Sequence, residues 1–265
     1  MPNKSLGQHW LKDRLTLEAI VDCADHALPG VSLKTSTVLE IGPGLGTMTS
    51  VLLQRAQQVI AVEFDAELAR KLPAQFPGKN LTVINQDILS YDVSGLPDDY
   101  IVVGNIPYYI TNKIVRKVSE GPHRPLVAVL LVQKEVAERL AARAGEMSLL
   151  SLSAQVFHDV TLGPVVGRDA FTPPPKVDSQ VVILTRRTTP LVPPVQQKTF
   201  FRLVKAGFSA RRKKLRSSLA GGLAISKPEA ETMLTRAGIS LESRAQELSI
   251  EQWAKLHALY TEHLV

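Results

Sequence analysis

Through the first two thirds of the chain, short aliphatic and β-branched runs alternate with segments whose apolar positions recur at spacings of three and four. This is the pattern of a parallel sheet with crossover helices. Seven strands are predicted, at 38–41, 59–63, 81–85, 100–104, 126–132, 152–160 and 179–185, with helices at 47–55, 66–76, 112–120 and 134–144. The expected fold class is therefore α/β, a doubly wound Rossmann-like sheet. After Arg187 the pattern stops. Pro190, Pro193 and Pro194 cannot sit in a sheet interior or mid-helix and mark a linker, so the expected domains are 1–188 and a small α-helical 189–265. The last helix is signalled by a capping box, Ser249 with Gln252, and by the apolar stripe Ile250, Trp253, Leu256 and Tyr260.

The composition is that of an ordinary globular protein, with 45% hydrophobic and 21% charged residues. No apolar run reaches the roughly 18 residues of a membrane span, so no membrane association is expected. Met1 to Lys12 is polar and lacks the apolar core of a secretion signal, and the single cysteine, Cys23, has no partner for an internal disulfide. Both point to a cytoplasmic protein. The net charge of +6 is regional: 179–228 holds eleven Lys and Arg and no Asp or Glu, leaving 20 basic against 25 acidic residues elsewhere. On a continuous helix Lys198, Arg202, Lys205, Arg212 and Arg216 would line one face, with Phe201, Val204, Phe208, Leu215 and Leu219 on another. Alternatively Gly207 and Ser209 break that helix and leave Arg211, Arg212, Lys213 and Lys214 in a turn. Either way the segment suits a polyanion.

Candidate chemistry begins at Glu40-Ile41-Gly42-Pro43-Gly44-Leu45-Gly46, a strand running through a glycine-rich turn into a helix. The spacing is G-x-G-x-G rather than the G-x-G-x-x-G that aims a helix at a pyrophosphate, and Glu40 stands two residues before it. An acid there suits a cationic ligand. Glu63 closes the second strand 21 residues after Gly42, placed to accept hydrogen bonds from ribose hydroxyls, and Asp87 follows the third, placed to accept from an adenine amino group. In this order the strand ends outline a site for a nucleoside with a cationic tail. No His, Cys or acid cluster has metal-ligand spacing.

The fourth strand ends in Asn105-Ile106-Pro107-Tyr108-Tyr109. An exocyclic adenine amine is a weak nucleophile because its lone pair is delocalised into the ring, so a catalyst must set acceptors against its two N–H bonds. The Asn105 side-chain oxygen and the Ile106 carbonyl can be those acceptors, with Pro107 fixing the backbone and adding no donor, and Tyr108 a stacking face for the base. Alone, Asn-x-Pro is a common turn. Behind the glycine loop and two acids it reads as a centre for in-line displacement at a sulfonium methyl.

The chain resembles the small-subunit ribosomal RNA adenine dimethyltransferases, the kasugamycin-sensitivity family. The resemblance runs from Ser5-Leu6-Gly7-Gln8-His9-Trp10-Leu11 through the two motifs above, then Phe171-Thr172-Pro173-Pro174-Pro175-Lys176-Val177-Asp178-Ser179, Phe208-Ser209-Ala210-Arg211-Arg212-Lys213-Lys214-Leu215 and Arg244-Ala245-Gln246-Glu247-Leu248-Ser249. It implies a class I methyltransferase domain using S-adenosylmethionine, with cofactor contacts at His9, Leu11, Gly42, Glu63, Asp87 and Asn105. His9 and Trp10 stand where bacterial members usually have Asn and Phe. It implies Phe171 as an aromatic that helps clamp the target base. The implied substrate is two adjacent adenosines, each dimethylated, in the hairpin loop near the 3′ end of small-subunit rRNA, within the immature small subunit. Nothing in the sequence demands more than a monomer. Rival readings are a large-subunit rRNA adenine methylase of the macrolide-resistance type, a DNA adenine methylase, and an assembly checkpoint factor acting mainly by binding. The DNA enzymes usually carry two prolines and an aromatic after their Asp or Asn.

Overall fold

The computed structural model describes residues 8–263, so Ser5, Leu6 and Gly7 of the N-terminal motif lie outside the described residues. The chain forms two compact units, one of 8–138 with Asp159–Arg186, the other of Arg139–His158 with 187–263.

The first unit contains β1 (Trp10–Leu11), α1 (Arg14–Asp25), β2 (Thr37–Ile41), α2 (Thr47–Arg55), β3 (Gln58–Glu63), α3 (Ala66–Lys71), β4 (Leu81–Asn85), β5 (Ile101–Asn105), α4 (Thr111–Glu120) and β6 (Val127–Gln133). The helix α5 (Lys134–Leu140) follows; β7 (His158–Val166), β8 (Phe171–Thr172) and β9 (Ser179–Arg186) complete the strands. Seven strands form one sheet in the order β4-β3-β2-β5-β6-β9-β7. Neighbours from β4 to β6 are parallel, and β9 runs antiparallel to β6. The strands β2 and β6 are buried almost throughout, as expected of central strands with both faces covered. Because β2 pairs β3 on one side and β5 on the other, the strand order reverses there. A crevice outside the strand ends at such a switch point is the usual ligand site of this fold.

The stretch predicted as a single strand at 152–160 is instead the end of a helix, α6 (Leu149–Gln155), followed by β7. Ser148 starts α6 with a capping box: the Ser151 N–H donates to Ser148 Oγ (3.2 Å) and the Ser148 N–H to Ser151 Oγ (2.8 Å). That local cap and the helix-forming Leu, Ala and Gln outweigh the aliphatic run. The predicted helix at 66–76 stops as α3 at Lys71, and Pro73 opens a separate 3₁₀ turn.

The second unit adds α7 (Gln197–Phe208), α8 (Leu215–Leu223), α9 (Lys227–Ala237) and α10 (Ile250–His263) to α6. It takes in Arg139–His158, which the single division expected at 188/189 assigned to the first domain. The reason is burial: Leu152, Val156 and Phe157 pack in one core with Phe200, Leu203, Trp253 and Tyr260. The final capping box is present, with the Ser249 N–H donating to Gln252 Oε1 (2.9 Å) and the Gln252 N–H to Ser249 Oγ (3.2 Å). The basic segment is not one continuous helix: α7 ends at Phe208 and 209–214 forms the turn before α8. Gly207, however, lies within α7 and breaks nothing. A Cβ there would stand 2.4 Å from the indole of Trp253, so glycine serves the close approach of that ring.

Candidate active site

A cavity of about 380 Å³ opens at the carboxyl ends of β2, β3 and β5, with Asp87 beyond β4 on its wall. The glycine loop after β2 supplies its floor. Gly42, Gly44 and Gly46 all have φ between 57° and 80°, which favours glycine. At Gly46 a side chain is doubly excluded, since its Cβ would lie 2.6 Å from Leu72 Cδ1. At Gly42 nothing lies within 4 Å of that position, so a ligand can approach the backbone there.

Three acids line the wall, Glu40, Glu63 and Asp87, against the single lysine Lys113. Glu63 is buried, and its carboxylate accepts the Gly44 N–H (3.0 Å) and the Asp65 N–H (2.8 Å), tying the glycine loop to the end of β3. Burial pushes its pKa up. Asp87 accepts the Leu89 N–H through Oδ1 (2.9 Å). Its loop is held by a residue that sequence alone does not single out, Lys117 on α4, whose Nζ donates to the Leu89 and Tyr91 carbonyls (3.2 and 2.7 Å). Glu40 is 1% exposed, and Thr49 donates a 2.7 Å hydrogen bond to its Oε2. Burial, with Glu63 nearby, raises its pKa from 4.5 to about 8, and the Thr49 bond offsets only part of this. The acids disfavour a pyrophosphate and favour a cation.

A pH dependence follows. In the folded chain Glu40 keeps its proton up to about pH 8, whereas in the unfolded chain it ionises near 4.5. Its contribution to stability is complete below pH 4.5 and is lost as pH rises through 8. Melting temperature should therefore fall between pH 5 and 8, and Glu40→Gln should flatten that fall. A cation binding beside Glu40 favours the carboxylate, so binding at pH 7 should release a proton. Calorimetry in buffers of different ionisation enthalpy measures that release; none in the parent protein, or an equal one in the Gln variant, rejects the linkage.

Asn105 closes β5, and its Nδ2 donates to the His9 carbonyl at 3.0 Å. A carbonyl only accepts, so this bond fixes the amide orientation and makes Oδ1 the acceptor end on the cavity that Asn105 lines. The Ile106 N–H is committed to the Leu131 carbonyl (3.0 Å), and the Pro107 carbonyl takes the Ile110 N–H (3.1 Å), which holds the turn. Tyr108 is half-buried; its hydroxyl bonds Ser179 Oγ (2.7 Å), and its ring lies against that of His9 at 5.7 Å and 23°. His9 in turn donates from Nδ1 to the Pro173 carbonyl (2.8 Å). The strand β1 pairs with β8, Trp10 opposite Thr172 and Leu11 opposite Phe171, and Thr47 donates to the Leu11 carbonyl (2.9 Å). Residues 9–11 thus lie on the cavity with the glycine loop, Asn105 and Tyr108.

The structure brings His9, Leu11, Gly42, Glu63, Asp87 and Asn105–Tyr108 to this one cavity. Phe171, the expected base clamp, is not on its wall. It is 3% exposed and packs in the core with Leu17, Ile20 and Val181, because its pairing with Leu11 turns it inward. The Pro-rich motif reaches the site instead through the Pro173 carbonyl and Ser179, which hold His9 and Tyr108. Trp10 is a further cavity residue, its indole 3.6 Å from where a Gly44 Cβ would be. In the second unit Lys198, Arg202, Lys205, Arg211, Arg212 and Lys213 are exposed, with no acidic partner among the described residues. Arg216 differs: it is half-buried between Glu231 and Glu242 (both 3.2 Å), and Lys214 pairs with Glu242 at 3.0 Å. Acids from outside the acid-free stretch fold back onto these two, so Arg216 is structural.

A family model described as ribosomal RNA adenine dimethylase matches residues 2–262. The chain is similar to a ribosomal RNA small subunit methyltransferase A of Dehalococcoides mccartyi, 43% identical over 96% of this chain and 86% of that one. Another with the same name, from Desulfitobacterium hafniense, is 40% identical over 95% and 89%. Among solved structures, a dimethyladenosine transferase from Plasmodium falciparum superposes with a TM-score of 0.83 at 26% identity, covering 97% of this chain and 99% of that one. The 23S rRNA methyltransferase ErmE does so with 0.75 at 30%, covering 94% and 98%. With the glycine loop, its acids and the Asn105 turn gathered on one cavity and the match running nearly end to end, the chain belongs to the ribosomal RNA adenine dimethylase family.

Proposed function

We propose that the protein dimethylates the exocyclic amines of two adjacent adenosines in the 3′-terminal hairpin loop of small-subunit rRNA, acting as a cytoplasmic monomer on the immature subunit. The observation that carries this is the Asn105 amide, whose donor end is bound to His9 and whose acceptor end is left for an amine on the cavity. The relatives named small subunit methyltransferase A support the choice of subunit, and their identities exceed the 30% shared with the large-subunit enzyme.

S-adenosylmethionine supplies the methyl group, carried on a sulfonium that makes it transferable. The acid-lined wall and the open approach at Gly42 fit such a cationic nucleoside. Glu63 would take its ribose hydroxyls and Asp87 its adenine amine, with His9, Leu11 and Gly42 around it. Asn105 Oδ1 and the Ile106 carbonyl would accept from the two N–H bonds of the target amine, orienting its lone pair, while Tyr108 stacks on the base. Positioning would supply much of the acceleration. An amine that is normally paired must be presented unstacked, as in a loop.

Lys198, Arg202, Lys205, Arg211, Arg212 and Lys213 would meet rRNA phosphates. Each such contact adds roughly 0.7–0.9 to the slope of log affinity against log salt. Replacing Arg211, Arg212 and Lys213 by Gln should lower that slope by about two, measured by filter binding. An unchanged slope removes the turn from the interface. The reading as a whole is tested by mapping dimethyladenosine in small- and large-subunit rRNA from cells with and without the gene. Loss confined to the small-subunit loop is the expected result, loss in large-subunit rRNA would transfer the assignment, and no loss would leave only a binding role.

A further inference from the structure

The mouth of the cavity carries two residues that the roles above leave unused. Tyr109 sits in the 3₁₀ turn Tyr108–Ile110 that follows β5 and is 62% exposed, and Lys113 stands four residues later on α4, also exposed. Both line the cavity, and neither has a hydrogen bond, ion pair or ring contact among the described residues. Lining one cavity, the two side chains are within reach of a single bound strand. Sheet order places them. From β4 through β3 to β2 the strand ends carry Asp87, Glu63 and the glycines, the groups suited to the nucleoside cofactor, whereas Tyr109 and Lys113 follow Asn105 at the end of β5. They follow Asn105 directly in the chain and share its cavity. Lys113 is the one lysine among the cavity's lining residues and meets no acid there, so it is available to an anion.

We propose that Tyr109 and Lys113 form a second nucleotide subsite, which holds the nucleotide next to the adenosine being methylated: the ring stacks on its unstacked base and the ammonium pairs with its phosphate. An aromatic face with an adjacent cation is the general chemistry of single-stranded nucleic-acid binding. For two adjacent target adenosines this neighbour is the other member of the pair. The subsite rests on the reading of the cavity as an adenosine methylation site, and it goes further by giving both adenosines a place at once.

The test uses the full-length protein and an RNA hairpin whose loop holds two adjacent adenosines, with 2-aminopurine substituted at each of the two positions in turn. The parent protein should quench both probes. Tyr109→Ala should abolish quenching at one position, keep it at the other, and weaken hairpin binding about tenfold, while Tyr109→Phe behaves as the parent. Lys113→Ala should reduce the salt slope of binding by about one. Affinity for S-adenosylhomocysteine, measured by calorimetry, reports whether the variants keep a folded cavity and should not change. Quenching at both positions in Tyr109→Ala overturns the proposal. So does loss of S-adenosylhomocysteine affinity with quenching intact, which assigns the ring to the cofactor, and so does a parent protein that quenches neither probe. A parent that quenches both probes but transfers no methyl to small subunits overturns the reading of the reaction and leaves the pair of residues as a base-binding subsite only.

Discussion

Replacing Asn105 with Ala should lower the rate of methyl transfer at saturating substrates by at least a hundredfold, the scale seen when one preorganised polar group is removed from a reacting centre. The variant would lose the acceptor proposed for the target amine, and the His9 carbonyl loses its 3.0 Å donor. The two losses can be told apart. Asn105→Asp keeps an acceptor toward the cavity but sets a carboxylate oxygen against the His9 carbonyl, so its main defect should be weaker cofactor binding with part of the rate retained. Single-turnover transfer to small subunits, with calorimetric titration of S-adenosylhomocysteine, measures both. An Ala variant within fivefold of the parent rate would remove Asn105 from the chemistry.

Glu63→Ala is expected to fail in the opposite way. The carboxylate would bond the ribose hydroxyls and already accepts the Gly44 and Asp65 N–H groups, so its removal both deletes a ligand contact and frees the glycine loop. At roughly 1.5–3 kcal/mol per hydrogen bond to a charged group, affinity for the nucleoside should fall by about a hundredfold or more. Transfer at saturating cofactor should stay within a few-fold of the parent. A variant that binds the nucleoside normally argues against this role.

Much of this site was legible in the sequence because its parts are local. A glycine loop behind a strand, acids at successive strand ends and an Asn-x-Pro turn each occupy a few consecutive residues, and the parallel fold brings strand ends to one edge whatever the connecting lengths. What escaped depends on partners distant in the chain. Phe171 faces the core because it pairs with Leu11, 160 positions earlier, and Arg216 is neutralised by Glu231 and Glu242. The 152–160 error was one of period: a short aliphatic run fits a strand or a buried helix, and the Ser148 cap decided it. Lys117 gave no signal, since a lysine holding two carbonyls looks like any surface lysine until the loop is seen beneath it.

The second unit is assembled from two stretches of chain, 139–158 and 187–263, with β7, β8 and β9 between them. During synthesis α6 therefore leaves the ribosome with Leu152, Val156 and Phe157 as one wall of a core whose other walls are not yet made. The first of these, α7, begins at Gln197, and the last, Trp253 and Tyr260, lie near the end of the chain. At about 5–20 residues per second that wall waits several seconds for its partners. Translation order thus makes the nascent α6 a natural client for a chaperone, and a stop codon placed after β9 would strand its apolar face for good.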